Sequence, residues 1–262
     1  MDTRKLLIYL SILHGGDWDS IYAHITSKVC DIDPLEVENV TNTLKCGAVT
    51  IVDPEYPHHL RQVFKPPFVL FYYGDLSLIK EYNNRLSVVG ARNVTDYGKR
   101  MTKEIVSELA DKLVIVSGLA NGVDGLAHKA CIDSGGKTVA VIGNGIDICY
   151  PSSNKDLYET IKRNHLVISE YPGTKEPNQH QFPQRNRIIA GLSSALLIPY
   201  ARKYSGSAIT AGLMIQLSRD VYCVPTEAGQ NSLCNYLIKE GATLVECAED
   251  ILKDMECMYK KI

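Results

Sequence analysis

Residues 181–193, QFPQRNRIIAGLS, set Phe182, Arg185, Asn186 and Arg187 side by side just ahead of a helix. A ring beside clustered guanidiniums suits a single nucleic-acid strand, because the ring stacks on a base and the charges meet phosphates. One of Arg185 and Arg187 is expected to be structural, tying the loop to the sheet. Residues 204–215, YSGSAITAGLMI, lead into another helix with Ser205, Gly206, Ser207 and Thr210. Hydroxyls and free N–H groups at a helix start make an anion site. Capping alone would account for one serine and not for the cluster. A third segment, LSVVGARNVTDYG, places Gly90 and Arg92 directly after an apolar run, where an arginine can fork onto a phosphate. A fourth, LVIVSGLANGVDGLAH, ends a second run at Ser117-Gly118. Small residues at these turns let a ligand approach backbone N–H groups.

Other chemistries fit the sequence poorly. The stretch AVIGNGIDICYP offers Gly143 and Gly145 for a G-x-G-x-x-G fingerprint, but Ile148 holds the third glycine position, so no dinucleotide cofactor is expected. Gly136-Lys137-Thr138 imitates the end of a Walker A loop. Its first glycine position is Cys131, and the triplet precedes a strand, so no phosphate can be wrapped there. Asp124 and His128 lie four apart on one helix and are read as a helix-stabilising contact in preference to an acid–base pair. No G-x-S-x-G elbow surrounds Ser117 or Ser205. Eight cysteines at 30, 46, 131, 149, 223, 234, 247 and 257 form no C-x-x-C pair, which disfavours a metal site and fits a reducing, cytoplasmic setting. No catalytic residue, metal or cofactor is expected.

The elements that must position these residues alternate regularly. Apolar runs at 86–90, 113–117, 138–142, 166–169, 195–199, 221–224 and 243–246 read as buried strands. Helical patterns fill 97–111, 122–134, 154–164, 184–192, 207–219, 233–240 and 248–258. This is an α/β fold, a doubly wound and mostly parallel sheet with a small N-terminal helical domain. In such sheets ligands sit beyond the carboxyl ends of the strands, where Gly90, Arg92, Ser117 and Gly118 fall.

Residues 1–47 read as three short helices. Gly15-Gly16 breaks the first two, Asp17 or Asp19 caps the second, and Gly47 ends the third. The Gly-Gly turn is read as a plain interhelical turn, although it weakly resembles one that grips DNA backbones. Residues 48–83, with prolines at 54, 57, 66 and 67 around short apolar strands, form a connector packed on the core, and residues 84–262 form the main domain. Residues 84–247 carry 18 Lys and Arg against 15 Asp and Glu, while the rest carries 10 against 15. A nucleic-acid site would therefore be a local patch of the main domain. No apolar run reaches the roughly 20 residues of a membrane span.

Taken in order, VGARNVTDYG, SGLANGVDGLAH, IGNGIDICYPSSN, SEYPG, FPQRNRIIAGLS, SGSAITA and GQNSLCNYLIKEGA resemble the bacterial DNA-processing protein A (DprA/Smf) family. The resemblance covers about residues 50–247. It implies a Rossmann-like fold that binds single-stranded DNA, protects incoming strands during natural transformation and loads the RecA recombinase. It also implies homodimers without established catalytic activity. Arg92 in VGAR, Ser117, Gly118 and Asn121 in SGLANG, and Phe182, Arg185, Asn186 and Arg187 in FPQRNR would line the DNA pocket. A dimer contact would fall near Tyr236, Leu237 and Leu244. The first helices are similar to the sterile-alpha-motif-like domain of many members, and the winged helix that ends some members is not expected here. Two positions depart from the pattern: Gln179 stands where a lysine is usual, and Ile198-Pro199-Tyr200 where an acidic residue is common.

The alternative is a nucleotide-binding or nucleoside-monophosphate-processing enzyme on a related fold. It would need a carboxylate at the ribose, for which Glu170 is the candidate. The P-G-G-x-G-T hallmark of such enzymes is missing from Pro172-Gly173-Thr174.

Overall fold

Strands without charges to solvate are stable in a sheet only when both faces are covered. The computed structural model describes residues 2–27 and 32–259, with side chains to Glu256. Cys30, residues 28–29, over which the sequence predicts the second helix to continue, and the Cys257 thiol lie outside the described residues. One sheet joins β1 (Gly47–Thr50), β2 (Val69–Gly74), β3 (Arg85–Val88), β4 (Val114–Ser117), β5 (Thr138–Ile142), β6 (Leu166–Ser169), β7 (Ala195–Ile198), β8 (Asp220–Cys223) and β9 (Thr243–Leu244). Its order is β1-β2-β6-β5-β4-β3-β7-β8-β9. The strands from β3 onward pair in parallel, as the alternation of apolar runs and helices requires. The chain winds outward from β3 to β6, then returns to place β7 on the other side of β3. The switch point of the fold therefore lies between β3 and β7.

The connector does more than pack on the core. Its strands β1 and β2 extend the sheet in antiparallel fashion past β6. Val69, Leu70 and Phe71 are all buried, so this stretch needs cover on both faces like the parallel strands.

Helices cover both faces. α4 (Asp96–Leu109), α5 (Val123–Asp133), α6 (Lys155–Asn164) and α10 (Ala248–Tyr259) lie on one side, joined by α1 (Thr3–Leu13). α7 (Gln181–Leu192), α8 (Gly206–Gln216) and α9 (Leu233–Lys239) lie on the other. Alternation along β7 shows the division: Leu196 and Ile198 enter the core beneath α7 and α8, and Ala195 and Leu197 enter the one beneath α4.

The N-terminal helices α1, α2 (Trp18–Thr26) and α3 (Pro34–Asn42) share a small core of Tyr9, Leu10, Ile21 and Val37. α1 also seats Leu7 and Ile8 on Val69 and Phe71 of the sheet. Asp17, not Asp19, caps α2, accepting from the Ser20 N–H at 2.9 Å. α3 ends at Asn42, ahead of the expected stop, and Gly47 instead opens β1. The Gly15-Gly16 turn packs inward: Gly16 has φ +75°, and a side chain there would stand 2.6 Å from the Glu170 carbonyl. Close approach to the main sheet, together with the backbone angle, requires glycine.

Candidate nucleic-acid interface

The loops that follow β3 and β7 and the first turns of α7 and α8 enclose a cleft of about 600 Å³ at the switch point. Gly90, Arg92, Phe182, Arg185, Asn186, Ser205, Ser207 and Thr210 line it. Gly118 and Asn121 line a smaller adjoining cavity of about 60 Å³, whose wall also includes Arg92, Phe182 and Arg185. Ten of the twelve residues singled out from the sequence thus meet in one region.

The other two do not. Ser117 is fully buried, and its hydroxyl donates to the Val88 carbonyl at 2.6 Å, linking β4 to β3. Arg187 points away from the cleft. It donates to Glu170 Oε1 at 2.7 Å and to the Lys65 carbonyl at 2.8 Å. The reason is helical geometry. α7 begins at Gln181, three residues before its expected start, so the segment is not extended and residues two apart diverge by about 200°.

Arg185 is both a wall residue and a tie. Its Nη1 donates to the Gly118 carbonyl at 2.7 Å and also to the Val141 carbonyl, fixing α7 to the ends of β4 and β5. Burial lowers its pKa to about 10, opposed by the neighbouring Asp124 charge. Asp124 is buried in turn. Desolvation raises its pKa, while Arg185 and the backbone N–H groups of Ala120, Gly118 and Gly90 lower it. Its expected contact with His128 is absent from the described hydrogen bonds: His128 Nδ1 meets the Thr138 hydroxyl at 2.6 Å instead. His128 is engaged by β5, and Asp124 by Arg185 and the turns after β3 and β4, so neither the helix contact nor the acid–base pair forms.

Glycines in the wall answer to internal packing. A side chain on Gly90 would stand 2.5 Å from Val123 and 2.6 Å from the Tyr200 carbonyl. The same loop is held by Ala91 N–H donating to Tyr200 O at 2.9 Å, which couples the turn after β3 to the one after β7.

Phe182 stands in the first turn of α7. Its ring stacks on Tyr150, with centroids 5.5 Å apart and planes 26° apart. The Arg92 guanidinium lies 5.9 Å from the Phe182 centroid. Tyr150 is 43% exposed, so the pair presents aromatic surface to the cleft. Across the helix, Asn186 Nδ2 reaches the Gly206 carbonyl at 3.5 Å and joins the starts of α7 and α8. At α8 the position of Ser205 is that of a cap, yet it makes no side-chain cap bond, and its buried Oγ has no partner. Unsatisfied donors and the positive end of the helix dipole face the cleft there.

The charges of the wall are Arg92, Arg185, Arg202 and Asp124; Arg185 and Asp124 are equally buried and offset one another, which leaves the exposed Arg92 and Arg202. The cleft is therefore a local positive site on a chain of net charge −2. Tyr150, Arg202 and Tyr204 line it and were missed in the sequence. The signal was present: Arg202 and Tyr204 directly precede SGSAIT on the same rim. Gln179 also lines the cleft. Lys175 does not replace the usual lysine, because its Nζ lies 5.8 Å from the Tyr171 ring and against Gly15.

Glu170 lies outside the cleft wall, 5% exposed and paired with Arg187. The carboxylate that a ribose-cleaving site would need is thus committed to the scaffold. Among the described residues no group of three His, Cys, Asp or Glu is arranged to hold a metal. Leu237, expected at a dimer contact, is 7% exposed and packs in the core beneath α9. Tyr236 and Leu244 are 41% and 47% exposed.

A Rossmann-like protein with an aromatic and cationic cleft at its switch point, in place of a glycine-rich dinucleotide loop, is the class this fold and site define. The chain belongs to the DNA recombination-mediator protein A family, whose model matches residues 47–256. It is 41% identical to the DNA processing protein DprA of Streptococcus pneumoniae over 81% of this chain and 75% of that one. It is 36% identical to protein Smf of Escherichia coli over 95% of this chain and 74% of that one. The X-ray structure of DprA from Streptococcus pneumoniae superposes with a TM-score of 0.80 at 36% identity, covering 96% of this chain and 93% of that one. The DNA processing protein A of Helicobacter pylori, solved for its single-stranded DNA binding mode, superposes at 0.73 with 27% identity, covering 83% and 98%.

Proposed function

We propose that the cleft binds single-stranded DNA and that the protein acts as a recombination mediator of natural transformation, protecting incoming strands and loading the RecA recombinase. The observation that carries this reading is the Phe182–Tyr150 stack beside Arg92 at the mouth of the cleft. Stacked rings accept any base face, and guanidiniums beside them take the phosphates. The α8 start, with its unpartnered Ser205 hydroxyl, adds an anion site on the same wall. The single-strand binding of the Helicobacter pylori relative supports the choice of ligand.

The protein works in the cytoplasm as a homodimer on this reading, with Tyr236 and Leu244 in the contact and Leu237 supporting them from within. No described helix is long and apolar enough to cross a membrane. Fluorescence anisotropy of a labelled poly-dT oligonucleotide tests the ligand. Tight, salt-sensitive binding that duplex DNA does not displace is expected; no binding at low salt refutes the proposal.

A further inference from the structure

The loop between β7 and α8 presents a ring that the stack on Phe182 does not use. Tyr204 is 87% exposed, more than any other large apolar side chain among the described residues. A single exposed ring is ordinary on a protein surface. This one lines the cleft and is held in place by backbone bonds on its N-terminal side. The Leu233 N–H donates to Ala201 O at 2.9 Å, the Lys203 N–H donates to Asn231 O at 3.1 Å, and Arg202 bridges to Ser232. Arg202, next but one before the ring, is exposed, and no ion pair engages it among the described residues. The Lys203 ammonium lies 4.4 Å over the Tyr236 ring and continues the positive surface toward α9.

We propose that Tyr204 is a second base-stacking position for single-stranded DNA, with Arg202 on the adjacent phosphate, so that the strand runs from Phe182 across the cleft to the loop between β7 and α8. The inference rests on the single-strand reading of the cleft. A tyrosine on an anchored loop is well suited to stacking, because its ring offers a large flat surface with little side-chain entropy to lose. A guanidinium beside it adds charge without reading sequence. The ligand class is therefore a strand of at least two nucleotides, bound without base preference.

Tyr204→Trp supplies a reporter, and the wild-type protein, with its lone Trp18 in α2, supplies the background signal. Binding of a labelled dT oligonucleotide is followed by anisotropy and tryptophan emission together. The proposal expects emission of the Tyr204→Trp protein to be quenched as the strand saturates. It expects no quenching by an abasic phosphodiester oligomer of equal length. Tyr204→Ala is expected to bind the dT strand about tenfold more weakly, and Tyr204→Phe to bind as wild type. Saturated anisotropy with unquenched emission overturns the proposal, as does wild-type affinity in Tyr204→Ala. Absence of any anisotropy change with the wild-type protein instead overturns the single-strand reading itself, and this inference with it.

Discussion

The guanidinium of Arg185 occupies the space in which Gly118 would carry a side chain, with Nη2 2.5 Å from that position. Arg185 cannot withdraw, because carbonyls of Gly118 and Val141 both hold it. The glycine of SGLANG and the first arginine of FPQRNR are thus two halves of one joint between sheet and site helix. Gly118→Ala is expected to destabilise the fold by about 1–3 kcal/mol through overpacking. Urea unfolding measures this, and an unchanged midpoint would show that the joint is slack.

Arg92 and Phe182 separate two contributions to affinity. Arg92→Ala should flatten the slope of log K against log salt for poly-dT by about 0.7, the value of one single-strand phosphate contact. Phe182→Ala should cost about 1–3 kcal/mol while leaving that slope unchanged. Gln179→Lys, restoring the usual residue of the family on the cleft wall, should steepen the slope by a similar amount, about 0.7. Titrations at several salt concentrations read all three.

The α8 start offers a variant that parts binding from folding. Ser205 Oγ has no partner within the protein, so Ser205→Ala should leave stability within about 0.5 kcal/mol of wild type. Its affinity for a single strand should fall severalfold if the hydroxyl meets a phosphate. Equal affinity in the variant removes Ser205 from the interface.

His128 gives the fold a pH dependence of known sign. The Thr138 hydroxyl donates to Ile115 O at 2.7 Å, so it accepts from His128 Nδ1–H, and Nε2 is buried without a partner. Burial lowers the pKa to about 3, helped by the His165 and Arg185 charges. The unfolded chain takes up this proton near pH 6.5 and the folded chain does not. The contribution is therefore fully present above about pH 6.5 and shrinks as pH falls toward 3, by about 2 kcal/mol at pH 5. Urea midpoints measured between pH 7 and pH 5 should drop in the wild type and drop less in His128→Gln.

Much of this site was legible because rim position follows from strand ends. The runs before Gly90, Gly118 and Ser205 marked three edges of one cleft. What escaped were contacts set by tertiary geometry. Arg187 reads as a phosphate ligand beside Arg185, but the helix turns it toward Glu170, a partner 17 residues away that sequence spacing does not reveal. Residues 69–71 show an apolar run, but not that its neighbour is β6, nearly 100 residues later. Tyr150 sits in a loop after β5 and meets Phe182 only through the fold.

Mediator function through this cleft requires a single strand lying against the Phe182–Tyr150 stack. Photo-crosslinking of a 5-bromodeoxyuridine oligonucleotide to the intact protein, followed by peptide mass spectrometry, locates the strand directly. The cleft reading predicts crosslinks at Phe182 or Tyr150 that weaken in Arg92→Ala at moderate salt. Crosslinks confined to the N-terminal helices, with none on the cleft wall, would contradict it.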